Sequence, residues 1–390
     1  MKYLIISDAA SVHIYNFVKN SLMGRGYEIS ILRHSLQDIP KQYLEFYKEN
    51  CITVFSPGKK QYKFGKLGTV VRFVKKCFFL AKYGKADICH IHYVHKASCL
   101  LYRIFKRNYK KLILSYWGDD ILIPRQDEIE SQKKCFPYAD LITVTVENSK
   151  RVFLERFGDK YADKLTFGRL TGGGIQGIHD LASKVTIEDC RREFNVPDNK
   201  LCVVCGYNAD PSQHQDVICN EVSLMSQKIK DKTHLIIPLQ YGRISDEYII
   251  DVKNAAEKCG CSYEILEEYV PFERNSIMCL ATDIYLNLRD SDAFSNAMKE
   301  QMYSGSIMIQ GDWLKYKELD DCNAPVVKIK SLDELHTSLE NLINEMEIKE
   351  KIQLFSPIYD IFSNEKARDN WSANFEKLFK RGETLKYDID

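Results

Sequence analysis

Leu201-Cys202-Val203-Val204-Cys205-Gly206 decides the fold of this chain. It is an apolar run of strand length closed by a glycine, and it comes after Thr171-Gly172-Gly173-Gly174, where an earlier rhythm breaks off. Before the break, residues 3–7, 29–32, 52–55, 87–91, 112–115 and 141–144 read as short buried strands. The stretches between them are long enough for crossover helices. The first keeps Ile14, Phe17, Val18 and Leu22 at helical spacing and stops at Gly24 and Gly26. After the restart, residues 235–239, 263–266, 283–286, 307–309 and 326–329 repeat the pattern. Alternation of this kind predicts parallel sheets covered by helices on both faces. The chain therefore reads as α/β, with two doubly wound, Rossmann-like domains over residues 1–178 and 179–345. Residues 346–390 read as terminal helices that pack back on the first domain and end in a polar tail.

Bulk properties agree. A chain of 390 residues exceeds what one core usually serves, and 45% hydrophobic with 28% charged residues is ordinary for a packed protein. The thirteen cysteines are scattered singly, and the opening residues carry no secretory pattern. Reduced thiols and a cytoplasmic location are expected. The two close pairs, Cys202 with Cys205 and Cys259 with Cys261, lack a matching Cys or His pair, so no metal site is expected. No apolar run approaches the roughly 18 residues that span a bilayer.

In open parallel sheets ligands bind beyond the carboxyl ends of the strands, so residues just after strands carry the functional information. The most informative is Asp290-Ser291-Asp292-Ala293-Phe294-Ser295-Asn296-Ala297-Met298-Lys299-Glu300-Gln301-Met302-Tyr303-Ser304-Gly305. It follows a strand and opens a helix, so backbone N–H groups around 293–296 stand ready for an anion. Asp292 is placed at the helix mouth and Glu300 about two turns beyond it. The bland alternative is an acid complementing a helix dipole and an exposed helical Glu.

This stretch resembles the donor-binding motif of retaining GT-B glycosyltransferases, two acids seven residues apart with a small-Phe-small turn after the first and Met-x-x-Gly after the second. The resemblance implies that Glu300 accepts from the ribose hydroxyls of a nucleotide-diphosphate sugar and that Asp292, with the turn Ala293, Phe294 and Ser295, meets the donor sugar. The first acid is usually Glu and is Asp here. Residues 206–214 and 237–242 resemble the family that adds 4-acetamido-4,6-dideoxygalactose in enterobacterial common antigen synthesis, also of GT-B type. That likeness places Asn208 and His214 near the donor and lets backbone approach the pyrophosphate at Gly242. Arg243 or Arg289 is the candidate cation. One likeness implies retention at the anomeric carbon and the other inversion, so stereochemistry stays open.

In the first domain, Asp8-Ala9-Ala10-Ser11-Val12-His13, Ala86-Asp87-Ile88-Cys89-His90-Ile91-His92 and Trp117-Gly118-Asp119-Asp120 each end or follow a strand. GT-B enzymes line the acceptor side with such loops. Asp119, His13 and His92 are the candidate catalytic residues, able to reach an acceptor hydroxyl as a general base. Trp117 stands where the family often has His.

The expected activity is sugar transfer to a hydroxyl of a glycan or lipid-linked glycan acceptor in bacterial surface polysaccharide synthesis, with no cofactor and no metal. A nucleotide-sugar epimerase is one rival. A dinucleotide-dependent oxidoreductase is another, because Gly172, Gly174 and Gly177 satisfy G-x-G-x-x-G, although mid-chain glycines also suit a hinge. A third, a non-catalytic polyanion or membrane binder, rests on residues 59–111, which hold fifteen Lys or Arg and one acid, Asp87, in a chain of net charge +1. Within that block, residues 67–82 read as a basic amphipathic helix suited to an anionic membrane surface, which would make the protein peripheral on the inner face of the cell membrane. The alternative is a crossover helix with a solvated basic face. No nucleic-acid-binding motif accompanies the charge.

Overall fold

The computed structural model describes residues 1–34, 37–56, 65–170, 172–242 and 244–383. They form two compact units, Met1–Gly172 together with the segment from Asn364, and Gly173–Ser363. The polar tail beyond residue 383 lies outside the described residues. Among those described, no helix is long and apolar enough to cross a membrane.

In the first unit, β1 (Lys2–Ser7), β2 (Glu28–Arg33), β3 (Thr53–Phe55), β4 (Ala86–His92), β5 (Tyr109–Ser115), β6 (Leu141–Val144) and β7 (Leu165–Phe167) form one parallel sheet in the order β3-β2-β1-β4-β5-β6-β7. Tyr3, Leu4, Ile5 and Ile6 are all fully buried, as a strand covered on both faces requires. The short edge strand β7 escapes a periodicity reading because three residues are too few to show one.

The helix Asn364–Glu383 closes one face of this sheet. Trp371 is fully buried there, its ring 4.8 Å from Phe17, and its indole N–H donates to the Arg169 carbonyl at 2.9 Å. Asn374 donates to the Phe167 carbonyl at 2.7 Å, which ties the helix to the otherwise exposed end of β7. The preceding helix Ser356–Phe362 stays with the second unit, where the Tyr359 hydroxyl donates to Gln176 at 3.3 Å. The return to the first unit thus begins at Asn364.

The second unit carries β8 (Leu201–Cys205), β9 (Thr233–Pro238), β10 (Ser262–Leu266), β11 (Ile284–Asn287), β12 (Ile307–Gly311) and β13 (Val326–Ile329), all parallel, in the order β10-β9-β8-β11-β12-β13. The chain builds outward from β8 to β10, then returns to lay β11 on the other side of β8. A crevice therefore opens beyond the carboxyl ends of β8 and β11.

At the opposite end of the same strands, Asp283 is fully buried and accepts a two-pronged bond from the Arg191 Nη2 at 2.8 and 3.0 Å. It also accepts from the Cys202 N–H at 2.7 Å, and its own N–H donates to the Cys202 carbonyl at 2.9 Å. Arg191 spends a further N–H on the Lys200 carbonyl at 2.9 Å. Removing one partner of such a pair strands a charge in the interior. Asp283→Ala is expected to cost about 3–5 kcal/mol in chemical denaturation, with most of it regained when Arg191 is also replaced by Met. A loss below about 1 kcal/mol would remove this pair from the account of how β8 and β11 are held.

Candidate functional site

The residues after β8, β9 and β11 interlock at the crevice. Asn208 Oδ1 accepts from the Asp210 N–H at 3.1 Å and from Gln213 Nε2 at 2.9 Å, which folds the loop after β8 back on itself. The Ala209 N–H donates to the Tyr241 carbonyl at 2.6 Å. Gly242 has a φ of +118°, and a Cβ there would lie 3.0 Å from the Asp210 amide nitrogen, so only glycine lets the two loops close. His214, in the left-handed region at φ +56°, opens the next helix, and its Nε2 lies 2.8 Å from Asp290 Oδ1. Arg243 lies outside the described residues.

Arg289 follows β11 and reaches across to the β8 loop. Its guanidinium donates to the Tyr207 hydroxyl and, at 3.3 Å, to Ser212 Oγ, and it stands 3.6 Å from Asp292 Oδ1. Trp313, just after β12, donates from its indole to the Arg289 carbonyl at 2.7 Å. A largely buried cation is thereby fixed at the point where the strand order reverses.

The two acids differ in what surrounds them. Asp292 Oδ2 accepts from the Ser295 N–H at 2.9 Å and from the Tyr316 hydroxyl at 2.9 Å. Ser295 in turn caps the helix Asn296–Tyr303 by accepting from the Met298 N–H at 3.4 Å. The helix therefore begins three residues later than Asp292 suggests, Glu300 lies little more than one turn inside it, and the Ser295 N–H is already engaged. Between the acid and the cap, Ala293 starts a tight turn in which Phe294 takes φ +62°. A non-glycine residue stays there only when its surroundings hold it. Phe294 is buried with its ring 5.1 Å from both Tyr316 and Phe362.

Glu300 is nearly buried, and among the described residues it accepts one hydrogen bond, from Asn275 Nδ2 at 3.0 Å. Burial pushes its carboxyl up to about 7, against a smaller lowering by that bond. Its Oε1 lies where a Cβ on Gly174 would be, 1.9 Å away, and a Cβ on Gly177 would fall 2.5 Å from the Phe272 ring. These glycines let the helix Gly174–Ala182 press against Glu300 and the helix Phe272–Ala281. The chain passes from one unit to the other just before them. The strand that precedes this helix, β7, is an edge strand of the first unit's sheet, whereas the helix belongs to the second unit, so the glycines do not join a strand and a helix of one βαβ unit as the dinucleotide motif needs. Asn275, Tyr316 and Gly174 carry no sequence signal that links them to the acids.

In the first unit, His13, His92 and Trp117 come together at the ends of β1, β4 and β5. The Trp117 indole lies 5.3 Å from the His13 ring and donates to His92 Nδ1 at 3.3 Å. His92 is buried, and burial lowers its pKa to about 3, so it stays neutral in ordinary buffers. Asp119 is exposed, whereas Asp120 is buried and accepts from the Val94, Trp117 and Gly118 N–H groups at 2.8, 2.9 and 2.9 Å. Asp120 organises the loop and leaves the Asp119 side chain to solvent. Among the described residues no three of His, Cys, Asp or Glu stand together as a metal would require.

No protein-family model matches the sequence, and no curated protein matches it significantly. Solved structures do. The chain is similar to Alr3699/HepE of Anabaena in complex with UDP-glucose, at 12% identity and a TM-score of 0.68 over 96% of this chain and 99% of that one. It is similar to a glycosyltransferase from Rickettsia africae, at 12% identity and 0.63 over 97% and 93%. It is also similar to the UDP-GlcNAc 2-epimerase of Neisseria meningitidis bound to UDP-GlcNAc, at 12% identity and 0.61 over 97% and 100%. These likenesses run through both sheets, and the fold of the chain is GT-B, two parallel-sheet Rossmann-like domains in one polypeptide.

Proposed function

We propose that this protein transfers a sugar from a nucleoside diphosphate sugar to a hydroxyl of an acceptor. The observation that carries the reading is Glu300, a nearly buried carboxylate with one donor among the described residues, placed in the same loop-and-helix segment as a fixed guanidinium at the strand reversal. A carboxylate offers about four acceptor directions, so Glu300 has capacity left for two vicinal hydroxyls such as those of a ribose. Arg289 supplies positive charge for a diphosphate, and Gly242 admits it close to backbone. Asp292, bonded to Ser295 and Tyr316, shapes the turn that would meet the donor sugar.

In the reaction, the acceptor oxygen bonds to the anomeric carbon as the bond to the diphosphate oxygen breaks. Arg289 would stabilise the charge that develops on the leaving group. The acceptor proton would pass to a protein base. Asp119 and His13 are the candidates, and neutral, buried His92 serves better to hold Trp117 in place. The fold-mates whose structures hold UDP-glucose and UDP-GlcNAc make a uridine diphosphate sugar the donor to try first. A bacterial surface glycan is the acceptor class the motif resemblance favours, with the protein working at the cytoplasmic side and needing neither metal nor cofactor.

The reading is tested by thermal shift against nucleoside diphosphates, NAD(H) and NADP(H). A uridine diphosphate at about 100 times its Kd is expected to stabilise the wild type by about 2.7 kcal/mol, and Glu300→Ala to lose that effect. Stabilisation by a nicotinamide dinucleotide alone refutes it. Consumption of the sugar nucleotide with no acceptor, giving its epimer, favours the epimerase instead.

Gly174→Ala drives a methyl into the Glu300 carboxylate. The variant should fold with reduced stability and bind uridine diphosphate at least about ten-fold more weakly, a loss of about 1.4 kcal/mol.

The titration of Glu300 gives a third check. Its folded pKa is raised, so the stability it contributes is full below its unfolded value and lost as pH rises through about 7. Between about pH 5 and about pH 8 the wild type should lose roughly 2–3 kcal/mol relative to Glu300→Gln. Ligand hydroxyls select the ionised form, so wild-type nucleotide affinity should rise over that range relative to Glu300→Gln. Parallel pH profiles for the two proteins would contradict this role.

A further inference from the structure

The helix Gly65–Tyr83 in the first unit turns the wrong side chains outward. It buries Leu80 and the Lys76 ammonium, which lies 2.8 Å from His34 Nδ1, while Phe78 is 71% exposed and Val70 57%. Val71 and Val74 are exposed as well. Residues 70, 71, 74 and 78 lie along one helical face, and Lys75 and Lys82 stand exposed on the same side. Single exposed apolar residues need no explanation, but a stripe of them at helical spacing does.

The neighbouring helix Lys96–Phe105 continues the pattern. It exposes Leu100 and Ile104, one turn apart, beside Arg103 and Arg107. Among the described residues none of Lys75, Lys82, Arg103 and Arg107 pairs with a carboxylate. Asp87, the sole acid of residues 59–111, is already bound to Lys110 at 2.7 Å and to the Lys2 N–H at 2.9 Å. The face therefore combines unneutralised cations with apolar side chains that point into water.

We propose that this face docks on a lipid bilayer with anionic headgroups, with Phe78, Val74, Val70 and Ile104 entering the headgroup boundary and the flanking Lys and Arg meeting phosphates. Both halves of the surface find partners there at once. A nucleic acid would satisfy the cations and leave the apolar stripe in water. A second copy of the chain docked about a two-fold axis would oppose like charges. The proposal concerns a surface of the first unit, whereas Glu300 and Arg289 belong to the second, and it goes beyond the transfer reaction.

Co-sedimentation of the full chain with vesicles tests it, comparing phosphatidylcholine mixed with phosphatidylglycerol against phosphatidylcholine alone. Partition onto the anionic vesicles should be at least about ten-fold stronger and should weaken with added salt. The double variants Val74→Ser/Phe78→Ser and Lys75→Glu/Lys82→Glu should each reduce it about ten-fold, with unchanged melting and unchanged uridine diphosphate binding. Equal partition onto both vesicle types, no partition at all, or variants that bind as the wild type does would overturn the proposal. So would light scattering that shows a dimer dissolved by Val74→Ser/Phe78→Ser in a protein that ignores vesicles. Loss of nucleotide binding in the wild type would count against the transferase reading and leave the vesicle result to stand alone.

Discussion

The buried pair of Arg191 and Asp283 is the constraint on which the second unit depends. Two fully desolvated charges are a costly way to hold a fold, and apolar side chains of similar volume would often do as well. What the pair adds is register. Asp283 takes the Cys202 N–H and gives its own N–H to the Cys202 carbonyl, so β11 is set beside β8 at a defined offset before the ladder begins. A slip of one residue would turn every side chain of β11 to the other face. The residues after these strands, from Tyr207 to Ser212 on one and from Arg289 to Asp292 on the other, meet because of that offset.

The site then follows from close approach. Gly242 admits the Asp210 backbone, and Gly174 admits the Glu300 carboxylate. Both positions trade a side chain for proximity of a polar group, which is where glycine is worth its conformational entropy. Phe294 works in the opposite sense, accepting a left-handed backbone because Tyr316 and Phe362 fill the space around its ring. The turn is rigid because its strain is offset by packing within the same unit.

Much of the architecture was legible in the residues. β6 falls where the run at 141–144 places it, since a strand buried on both faces is largely apolar, and β13 falls at 326–329 although it is an edge strand with Lys328 exposed. β7 was not legible, because a three-residue edge strand has no period. The acid spacing between Asp292 and Glu300 was visible, but their unequal environments were not. Which oxygen meets Ser295, Tyr316 or Asn275 depends on segments distant in sequence. The start of the helix Asn296–Tyr303, three residues beyond Asp292, was not visible for the same reason, since Ser295 caps it. The helix of residues 65–83 is apolar on two sides, so its pattern shows amphipathicity without showing which side faces the sheet.

The contrast between the two acids bears on their roles. Asp292 spends its acceptor capacity inside the protein, on an N–H, a hydroxyl and a nearby guanidinium. An acid so committed is a structural fixture that presents the turn around it. Among the described residues Glu300 receives a single N–H in return for the water it has given up, and burial holds its proton up to about 7. A buried carboxylate with unspent acceptor capacity is destabilising unless something else supplies donors. The fold tolerates this because Asn275 and the approach at Gly174 hold the group in one place. Ligand hydroxyls would find it already desolvated and oriented, so binding need not bear that cost again. That difference, more than the spacing of the two acids, is the physical ground on which ligand contact is proposed for Glu300 and loop architecture for Asp292.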